Sequence, residues 1–319
     1  YDHSGHSVSV SSDGFTVAIG AFSNDGNGSN SGHVRVYSFD GISWIQLGQD
    51  IDGEASDDYS GHSVSLSSDG FTVAIGSRYN AGNGYDQGHV RIYSFNGTSW
   101  SQLGQDIDGE SSDDHSGWSV SLSSDGSTVA IGAPYNFGGS IGYATGHVRV
   151  YNFDGVFWNQ VGDDIDGETH GDKSGWSVSL SSDGSTVAIG APYNYANGTG
   201  YATGHVRVYN FNGNSWNQLG QDIDGEAAFD LSGTSLSLSS DGNSIAIGAY
   251  ANDGNGSNSG HVRVYNFDGI SWIQVAQDID GESPDDKSGW SVSLSDNGSR
   301  VAIGAYANDG NGSNSGHVR

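Results

Sequence analysis

The stretch that decides the fold is Gly61-His62-Ser63-Val64-Ser65-Leu66-Ser67-Ser68-Asp69-Gly70-Phe71-Thr72-Val73-Ala74-Ile75-Gly76. Residues 63–67 alternate apolar with small polar side chains, which is typical of a half-buried strand. Asp69-Gly70 indicates a tight turn, because glycine tolerates a positive φ. Residues 72–76 are apolar on both faces and predict a strand that is buried on both sides. The stretch therefore predicts two adjacent antiparallel strands.

Two further strands follow before the pattern begins again. His89-Val90-Arg91-Ile92-Tyr93 alternates, Asn96-Gly97 predicts a second tight turn, and the segment from Trp100 to Ile107 predicts a fourth strand. The anchor Ser-Gly-x-Ser recurs with its glycine at positions 5, 61, 117, 175, 233 and 289. Four strands per repeat are typical of a propeller blade. The sequence predicts an all-β, six-bladed β-propeller of 56–58-residue blades, a single domain over 1–319 with repeats starting near 4, 60, 116, 174, 232 and 288.

The sixth copy stops partway through its third strand, at His317-Val318-Arg319. The last blade is therefore predicted to be incomplete. Because proteins normally avoid an unpaired strand edge, we expect the chain to be part of a longer repeat array. A strand donated by a neighbouring molecule is the alternative.

The composition is strongly acidic. The 319 residues include 10 Lys+Arg and 38 Asp+Glu, which gives a formal net charge of −28. Such a surface repels nucleic acid and anionic lipid, so we expect no nucleic-acid partner. The chain has no cysteine, which excludes disulfides and thiolate metal sites. No apolar run approaches the ~18–20 residues of a membrane helix, so we expect no membrane insertion.

Parts of every repeat resemble the FG-GAP repeat of integrin α-subunit propellers and their bacterial relatives. The segments that carry the resemblance are Gly61-His62-Ser63-Val64, Val73-Ala74-Ile75-Gly76, Gly88-His89-Val90-Arg91-Ile92-Tyr93, Ile131-Gly132-Ala133-Pro134 and Ile189-Gly190-Ala191-Pro192. The resemblance implies an extracellular, cell-surface propeller of the adhesion type, often calcium-binding. The family's calcium loop between the first two strands is shortened here to Ser67-Ser68-Asp69-Gly70, so that site is not carried over.

The connection from the fourth strand to the next blade repeats the acidic motif Asp-x-Asp-Gly-Glu. Period-two spacing places both aspartates on one side of the strand end, and clustered oxygen ligands suit Ca²⁺. The alternative is that Asp-Gly only shapes the turn and the acids are solvated. The predicted calcium ligands are Asp50, Asp52, Glu54, Asp106, Asp108, Glu110, Asp164, Asp166, Glu168, Asp222, Asp224, Glu226, Asp278, Asp280 and Glu282.

The loop between the second and third strands differs between copies. Copies one, five and six share an Asn-Asp-Gly-Asn string, whereas copies two, three and four gain aromatic residues. Exposed aromatic rings suit stacking on sugars or anchoring a protein partner. The alternative is that the rings pack on each other and rigidify the loops. The predicted ligand-binding residues are Tyr135, Phe137, Tyr143, Tyr193, Tyr195 and Tyr201.

Other recurring residues have structural interpretations. Every third strand repeats a histidine and an arginine, as in His33 and Arg35, which predicts a ladder of Arg paired with acids or stacked on rings. Histidine as a metal ligand is the sharper alternative. The tryptophan that opens each fourth strand, as in Trp44 and Trp100, is expected to anchor that strand by burial. Glycosylation sequons begin at Asn27, Asn96, Asn197, Asn255, Asn297 and Asn311.

The repetition also shapes the functional prediction. Catalysis requires a few unique convergent groups, whereas here each candidate acid or histidine recurs in nearly every copy. The departures from the repeat, namely Arg78, His170, Lys173, Phe229 and Lys287, form no recognisable constellation. The sequence therefore predicts no enzyme, but an extracellular adhesion or binding scaffold for glycan or protein partners. A structural subunit of a filament or surface matrix, which self-associates, is the alternative.

Overall fold

The computed structural model describes residues 1–82, 84–137, 144–195 and 201–319. Within these ranges the chain forms antiparallel sheets that follow one another along the sequence, and no α-helix. Five sheets contain five strands and the sixth contains three. The predicted fold class, a six-bladed β-propeller with an incomplete last blade, is confirmed.

The first three blades begin near the predicted repeat boundaries. The first contains β1 (Ser4–Val10), β2 (Thr16–Ala21), β3 (His33–Phe39), β4 (Trp44–Gln46) and β5 (Ile51–Asp52). The second contains β6 (Ser60–Leu66), β7 (Thr72–Ser77), β8 (His89–Phe95), β9 (Trp100–Gln102) and β10 (Ile107–Asp108). The third contains β11 (Ser119–Leu122), β12 (Thr128–Ala133), β13 (His147–Phe153), β14 (Trp158–Gln160) and β15 (Ile165–Asp166).

The last three blades repeat the same order. The fourth contains β16 (Ser177–Leu180), β17 (Thr186–Ala191), β18 (His205–Phe211), β19 (Trp216–Gln218) and β20 (Ile223–Asp224). The fifth contains β21 (Ser235–Leu238), β22 (Ser244–Ala249), β23 (His261–Phe267), β24 (Trp272–Gln274) and β25 (Ile279–Asp280). The sixth contains β26 (Ser288–Leu294), β27 (Val301–Ala305) and β28 (His317–Val318).

The predicted fourth strand is in fact two short strands. In the second blade, β9 and β10 both pair with β8, and residues 103–106 between them leave the ladder. Gly104 there has a φ of 75°, which interrupts regular strand geometry. The sequence prediction of one continuous strand from Trp100 to Ile107 is therefore wrong in this detail.

The anchor motif Ser-Gly-x-Ser produces a β-bulge at the start of the first strand. The register of β6 against β7 shifts between Ser60 and Ser63. Gly61, inside the bulge, has a φ of 82°, and a Cβ on it would lie 2.7 Å from the carbonyl oxygen of His33 in the preceding blade. Glycine is required because the conformation and the close approach both exclude a side chain.

Serines of the first strands join successive blades. Ser63 Oγ donates to the carbonyl of Gly117 at 2.8 Å, and the amide of Leu122 donates to Ser65 Oγ at 2.9 Å. Equivalent bonds join Ser177 to Gly233 at 2.7 Å. Small hydroxyl side chains thus satisfy backbone groups where two first strands lie side by side.

The apolar core lies between successive sheets. One cluster joins Val34 and Val36 of the first blade to Val73 and Ile75 of the second, and Trp100 closes it. Trp100 is 4% exposed, and its Nε1 donates to the carbonyl of Leu47 in the preceding blade at 2.8 Å. The predicted anchoring by tryptophan is therefore correct here, and the anchor is the neighbouring blade.

The contacts divide the chain into two compact units. The first comprises the described residues of 1–137 and 147–164, and the second those of 144–146 and 165–319. Each has its own interblade core. The described residues include no helix with the length and apolar character needed to cross a bilayer.

Candidate functional site

The variable loops and the acidic connections meet on the same face of each blade. The amide of Gly53 donates to the carbonyl of Gly32, and the amide of Asp57 donates to the carbonyl of Ser29. A parallel bridge joins Gly32 to Ser60 where the next blade begins. The second-to-third loop of a blade is thereby held against the connection to the next blade.

At this face, a buried histidine at the start of the third strand in each of the first five blades lies among carboxylates. His205 Nδ1 is 3.8 Å from Asp222 Oδ2 and 3.9 Å from Glu168 Oε2. Similar groups of three whose ligand atoms lie within 4.8 Å of one another are His33, Asp50 and Asp52; Glu54, His89 and Asp106; and Glu110, His147 and Asp164. His261 has the same neighbours, with Glu226 at 3.9 Å and Asp278 at 3.8 Å.

The acidic motif is divided between two such clusters. Asp50 and Asp52 lie 3.7 and 4.0 Å from His33 of their own blade. Glu54, from the same motif, belongs to the cluster of His89 in the next blade. In the second blade Asp108 Oδ1 is also 4.0 Å from His89 Nδ1. The first aspartate and the glutamate of the motif thus converge, but around a histidine and across two blades, and the second aspartate also approaches the histidine in the first two blades.

A glutamine orients the first aspartate of each motif. Gln218 Nε2 donates to Asp222 Oδ1 at 2.6 Å, which leaves Oδ2 to face His205. Gln46 donates to Asp50 at 2.6 Å in the same way. Hydrogen bonds of this kind fix the geometry of a metal ligand.

His89, His147 and His205 are neutral at physiological pH. Burial, followed by the charge of the adjacent arginine, lowers the pKa of His89, His147 and His205 to about 4. Their side chains are 1–2% exposed, and their buried Nε2 atoms have no hydrogen-bond partner. The Nδ1–oxygen separations of 3.6–3.9 Å are too long for hydrogen bonds.

The donor set fits a divalent cation. Around a four-coordinate cation with bonds of about 2.1 Å, neighbouring ligand atoms stand about 3.4 Å apart. A neutral imidazole nitrogen and two carboxylate oxygens are suitable ligands, and their separations of 3.8–3.9 Å around His205 are about 0.4 Å longer than that site requires, so the carboxylates would move slightly inward on binding. From the sequence, histidine was only the alternative ligand, because a ligand cluster requires several strands to converge.

The repeated arginines form the predicted ladder. Arg91 pairs with Glu54 of the preceding blade at 3.2 Å, and its guanidinium lies 5.7 Å from the ring of Tyr93. Arg149 pairs with Glu110 at 3.9 Å. Arg35 instead bonds Asp50 of its own blade at 2.8 Å. The arginines therefore hold the glutamates in place beside the histidines.

Three predicted aromatic residues of the fourth blade line one cavity. Tyr193, Tyr195 and Tyr201 surround about 350 Å³ together with Gly171, Ala202, Phe229 and Leu231. The rings of Tyr195 and Tyr201 meet edge to face at 5.3 Å, and Tyr201 stacks on Phe229 at 6.4 Å. The rings thus contact each other and also form a cavity. Phe229, which sequence analysis left unassigned, is part of it.

The other predicted aromatic residues lie elsewhere. Tyr135 packs on His115 at 4.5 Å and on Trp118 at 5.5 Å, and Phe137 is 42% exposed. Tyr143 lies outside the described residues, as does the sequon residue Asn197. The described sequon residues, all exposed, are Asn27, Asn96, Asn255, Asn297 and Asn311. Glycosylation stays a prediction.

Comparisons with known proteins support the fold. Residues 276–318 match the FG-GAP repeat. No curated protein matches the chain in sequence. A putative 6-phosphogluconolactonase from Bacteroides uniformis is similar in structure, with a TM-score of 0.63 and 12% identity over 94% of this chain and 77% of that one. The periplasmic gluconolactonase of Pseudomonas aeruginosa is similar with a TM-score of 0.61 and 20% identity over 95% and 78%. At such identities the likeness shows the fold.

These relatives contradict the functional prediction. Sequence analysis predicted no enzyme, but an adhesion scaffold or a filament subunit, because repetition was taken to exclude a catalytic site. Both solved structures, which overlay nearly the whole chain, are described as lactonases. That prediction is therefore wrong in its reasoning: proteins of this fold include enzymes, so repetition of the blade does not exclude a catalytic site.

Proposed function

We propose that this chain, which belongs to the FG-GAP repeat β-propellers, hydrolyses a lactone on the loop face of its fourth blade. One observation carries the proposal: a cluster of three potential metal ligands and an aromatic cavity are built from the same two loops. Glu168 stands three residues before Gly171, and Ala202 three residues before His205. A site for an electrophilic cation thus adjoins a site for a ring-shaped substrate.

The cation would be held by Glu168, His205 and Asp222. When bound there, a divalent cation polarises the ester carbonyl of a lactone. Calcium, the cation predicted from the sequence, prefers oxygen ligands, whereas an imidazole nitrogen favours zinc, manganese or a similar metal. Glu168 Oε1 lies 3.7 Å from Arg207 Nη1, which steadies the carboxylate with Oε2 facing His205.

The remaining chemistry belongs to the protein's own side chains. The rings of Tyr193, Tyr201 and Phe229 bind the apolar faces of a sugar-derived ring and exclude water from them. Lys173 lies in the same loop as Gly171, and burial lowers the pKa of its amine to about 8. An amine with that pKa is partly neutral near pH 8. It would accept a proton from the water that attacks the lactone carbonyl and return it to the ring oxygen as the ring C–O bond breaks, so that the product is the open hydroxy acid.

An extracytoplasmic location forms part of the same proposal. FG-GAP repeats are typical of surface proteins, and one structural relative is described as periplasmic. Protease treatment of intact cells of the native host distinguishes the possibilities, because only a chain outside the cytoplasm is digested.

The test is hydrolysis of gluconolactone by the purified chain, followed as proton release above the spontaneous rate. Separate assays contain Mn²⁺, Zn²⁺, Ca²⁺ or a chelator. We expect activity with at least one cation and none with the chelator. His205→Gln should lower kcat/KM at least tenfold, because one ligand of the cation is lost. Tyr201→Ala should mainly raise KM.

The repeat provides a matched control. His89→Gln removes the same side chain from the equivalent cluster of the second blade, which belongs to the other compact unit. We expect that variant to keep wild-type activity. Equal losses in His205→Gln and His89→Gln, or no hydrolysis above the spontaneous rate with any cation, would contradict the proposal.

A further inference from the structure

One residue of the first unit differs in both charge and shape from the residues at the same position of the other repeats. Arg78 follows β7, at a position that holds Phe22, Pro134, Pro192, Tyr250 and Tyr306 in the other copies. The chain has only 10 cationic Lys and Arg residues against 38 acids. An arginine that appears in one copy alone has no role in the repeated ladder.

The guanidinium of Arg78 lies between two aromatic rings and has no acidic partner among the described residues. Its carbon is 4.6 Å from the ring of Tyr79 and 4.5 Å from the ring of Trp118. Its Nε is buried without a hydrogen bond. In the described part of the chain Arg78 forms no ion pair with a carboxylate, and the charged-form interactions that favour its protonation come from tyrosines. The ladder arginines, such as Arg91, by contrast face glutamates.

Two histidines from neighbouring first strands lie beside this arginine. The rings of His6 and His62 are 5.1 Å apart, and His62 lies 5.2 Å from Trp118. His62 Nδ1 is 3.2 Å from the carbonyl oxygen of Trp118. A third histidine, His115, contacts Tyr79 at 4.8 Å. The group thus combines a rigid guanidinium with imidazoles in an aromatic surround.

Arg78 gives this group of residues a positive electrostatic potential. Burial and then the charge of Arg78 lower the pKa of His6, and the same two causes hold the pKa of His62 well below its usual range. Burial also lowers the pKa of Arg78. Asp86 and Asp113 approach this region at His115, with which they share a cluster. At Arg78 itself, the cost of burying a positive charge is not offset by a negative one.

We propose that Arg78, with His6 and His62, forms a binding site for the carboxylate or phosphate group of a small ligand. Arginine presents a planar fork of donors that matches such an oxyanion in two parallel hydrogen bonds. Imidazoles beside it donate to the remaining oxygens. Aromatic rings fix the guanidinium in place, so little conformational freedom is lost on binding. The site belongs to the first unit and stands whether or not the fourth blade hydrolyses lactones.

The test uses inorganic phosphate and acetate as probes of the whole chain. Binding is followed by the NMR signals of the histidine rings during titration up to about 10 mM, ten times a weak millimolar Kd. We expect binding of at least one anion, and a rise in the pKa of His62 when it binds, because an adjacent negative charge favours the protonated imidazole. A response to phosphate, to acetate or to both identifies the group that the site accepts.

Substitutions separate a specific site from diffuse attraction. Arg78→Gln should weaken binding at least tenfold, whereas Arg78→Lys, which keeps the charge without the fork, should weaken it less. Arg300→Gln removes the same charge from an exposed position and should leave binding unchanged. If Arg78→Gln does not fold, the test is the comparison of anion binding between the wild type and Arg78→Lys. Failure of both anions to bind, or equal weakening in Arg300→Gln, overturns the proposal.

Discussion

Trp100 and Trp44 hold the same place in the repeat yet differ in burial. Trp100 is 4% exposed and hydrogen-bonds the preceding blade, whereas Trp44 is 49% exposed. Trp100→Ala should cost about 3–5 kcal/mol, since it empties a packed interface. Trp44→Ala should cost under about 1 kcal/mol. Urea midpoints of the two variants test this, and similar losses would mean that blade-to-blade burial does not anchor the tryptophan.

The types of residue in the candidate metal site could be predicted from the sequence, but the residues that lie together in one cluster could not. The acids of the Asp-x-Asp-Gly-Glu motif were identified as candidate ligands, and they do converge. Their partner, His205 in the fourth blade, lies 37 residues from Glu168 and was interpreted mainly as structural. No local pattern links the two, because their proximity depends on the packing of one blade against another.

Among the strands, glycine marks the closest approach of two blades. A Cβ on Gly76, in β7, would overlap the carbonyl oxygen of Gly117 in the third blade. A Cβ on the equivalent Gly304, in β27, would overlap the hydroxyl oxygen of Ser291 in its own blade, and the nearest backbone atom, the carbonyl oxygen of Ser291, would be 3.7 Å away. Gly76→Ala should therefore cost about 1–3 kcal/mol or more, and Gly304→Ala below about 1 kcal/mol.

Thermal unfolding of the two glycine variants provides the measurement, with the wild type as reference. Equal shifts in Tm would show that the intrinsic preference of the strand, and not the neighbouring blade, determines the requirement for glycine.

Strand positions themselves were predictable because apolar alternation and Asp-Gly turns recur in every copy. The division of the fourth strand was not, since it depends on how β9 and β10 share the edge of β8.

For the whole molecule, the buried histidines determine part of the response to acid. The folded chain holds the pKa of His89, His147 and His205 at about 4, below the value of 6.5 expected when unfolded. Between those values the unfolded chain binds about three more protons at these sites, so their contribution to stability is lost as the pH falls from 6.5 to 4. Above pH 6.5 they contribute no pH dependence.

The measurement is the free energy of unfolding against pH from 7.5 to 4, with chelator present so that no cation competes. His89→Gln should reduce the slope between pH 6.5 and 4 by about one proton. An unchanged slope would contradict the assignment of His89 as neutral in the folded chain. This comparison isolates one group from the many carboxylates that titrate in the same range.

The fold of the whole chain was predictable because six copies repeat one pattern, and the same repetition misled the functional prediction. Residues such as Phe229 and Arg78 looked scattered along the chain. The structure places Phe229 in the cavity of the fourth blade and Arg78 beside His62 in the first unit. Single departures from a repeat carry functional information only when the fold shows which of them lie together.

Glu54 ends the first repeat but lies in the cluster of His89 in the second blade. This arrangement has a consequence for the number of repeats that the chain can contain. Each three-residue cluster of this type joins the end of one repeat to the body of the next, as Glu110 and Glu168 do further along the chain. Recombination between near-identical gene segments can duplicate or delete one whole repeat unit. Each remaining pair of successive blades then still contains all three residues of its cluster. If each cluster holds one cation, as proposed for the fourth blade, the number of bound cations would follow the number of interfaces between successive blades. An array would then gain one site with each repeat added.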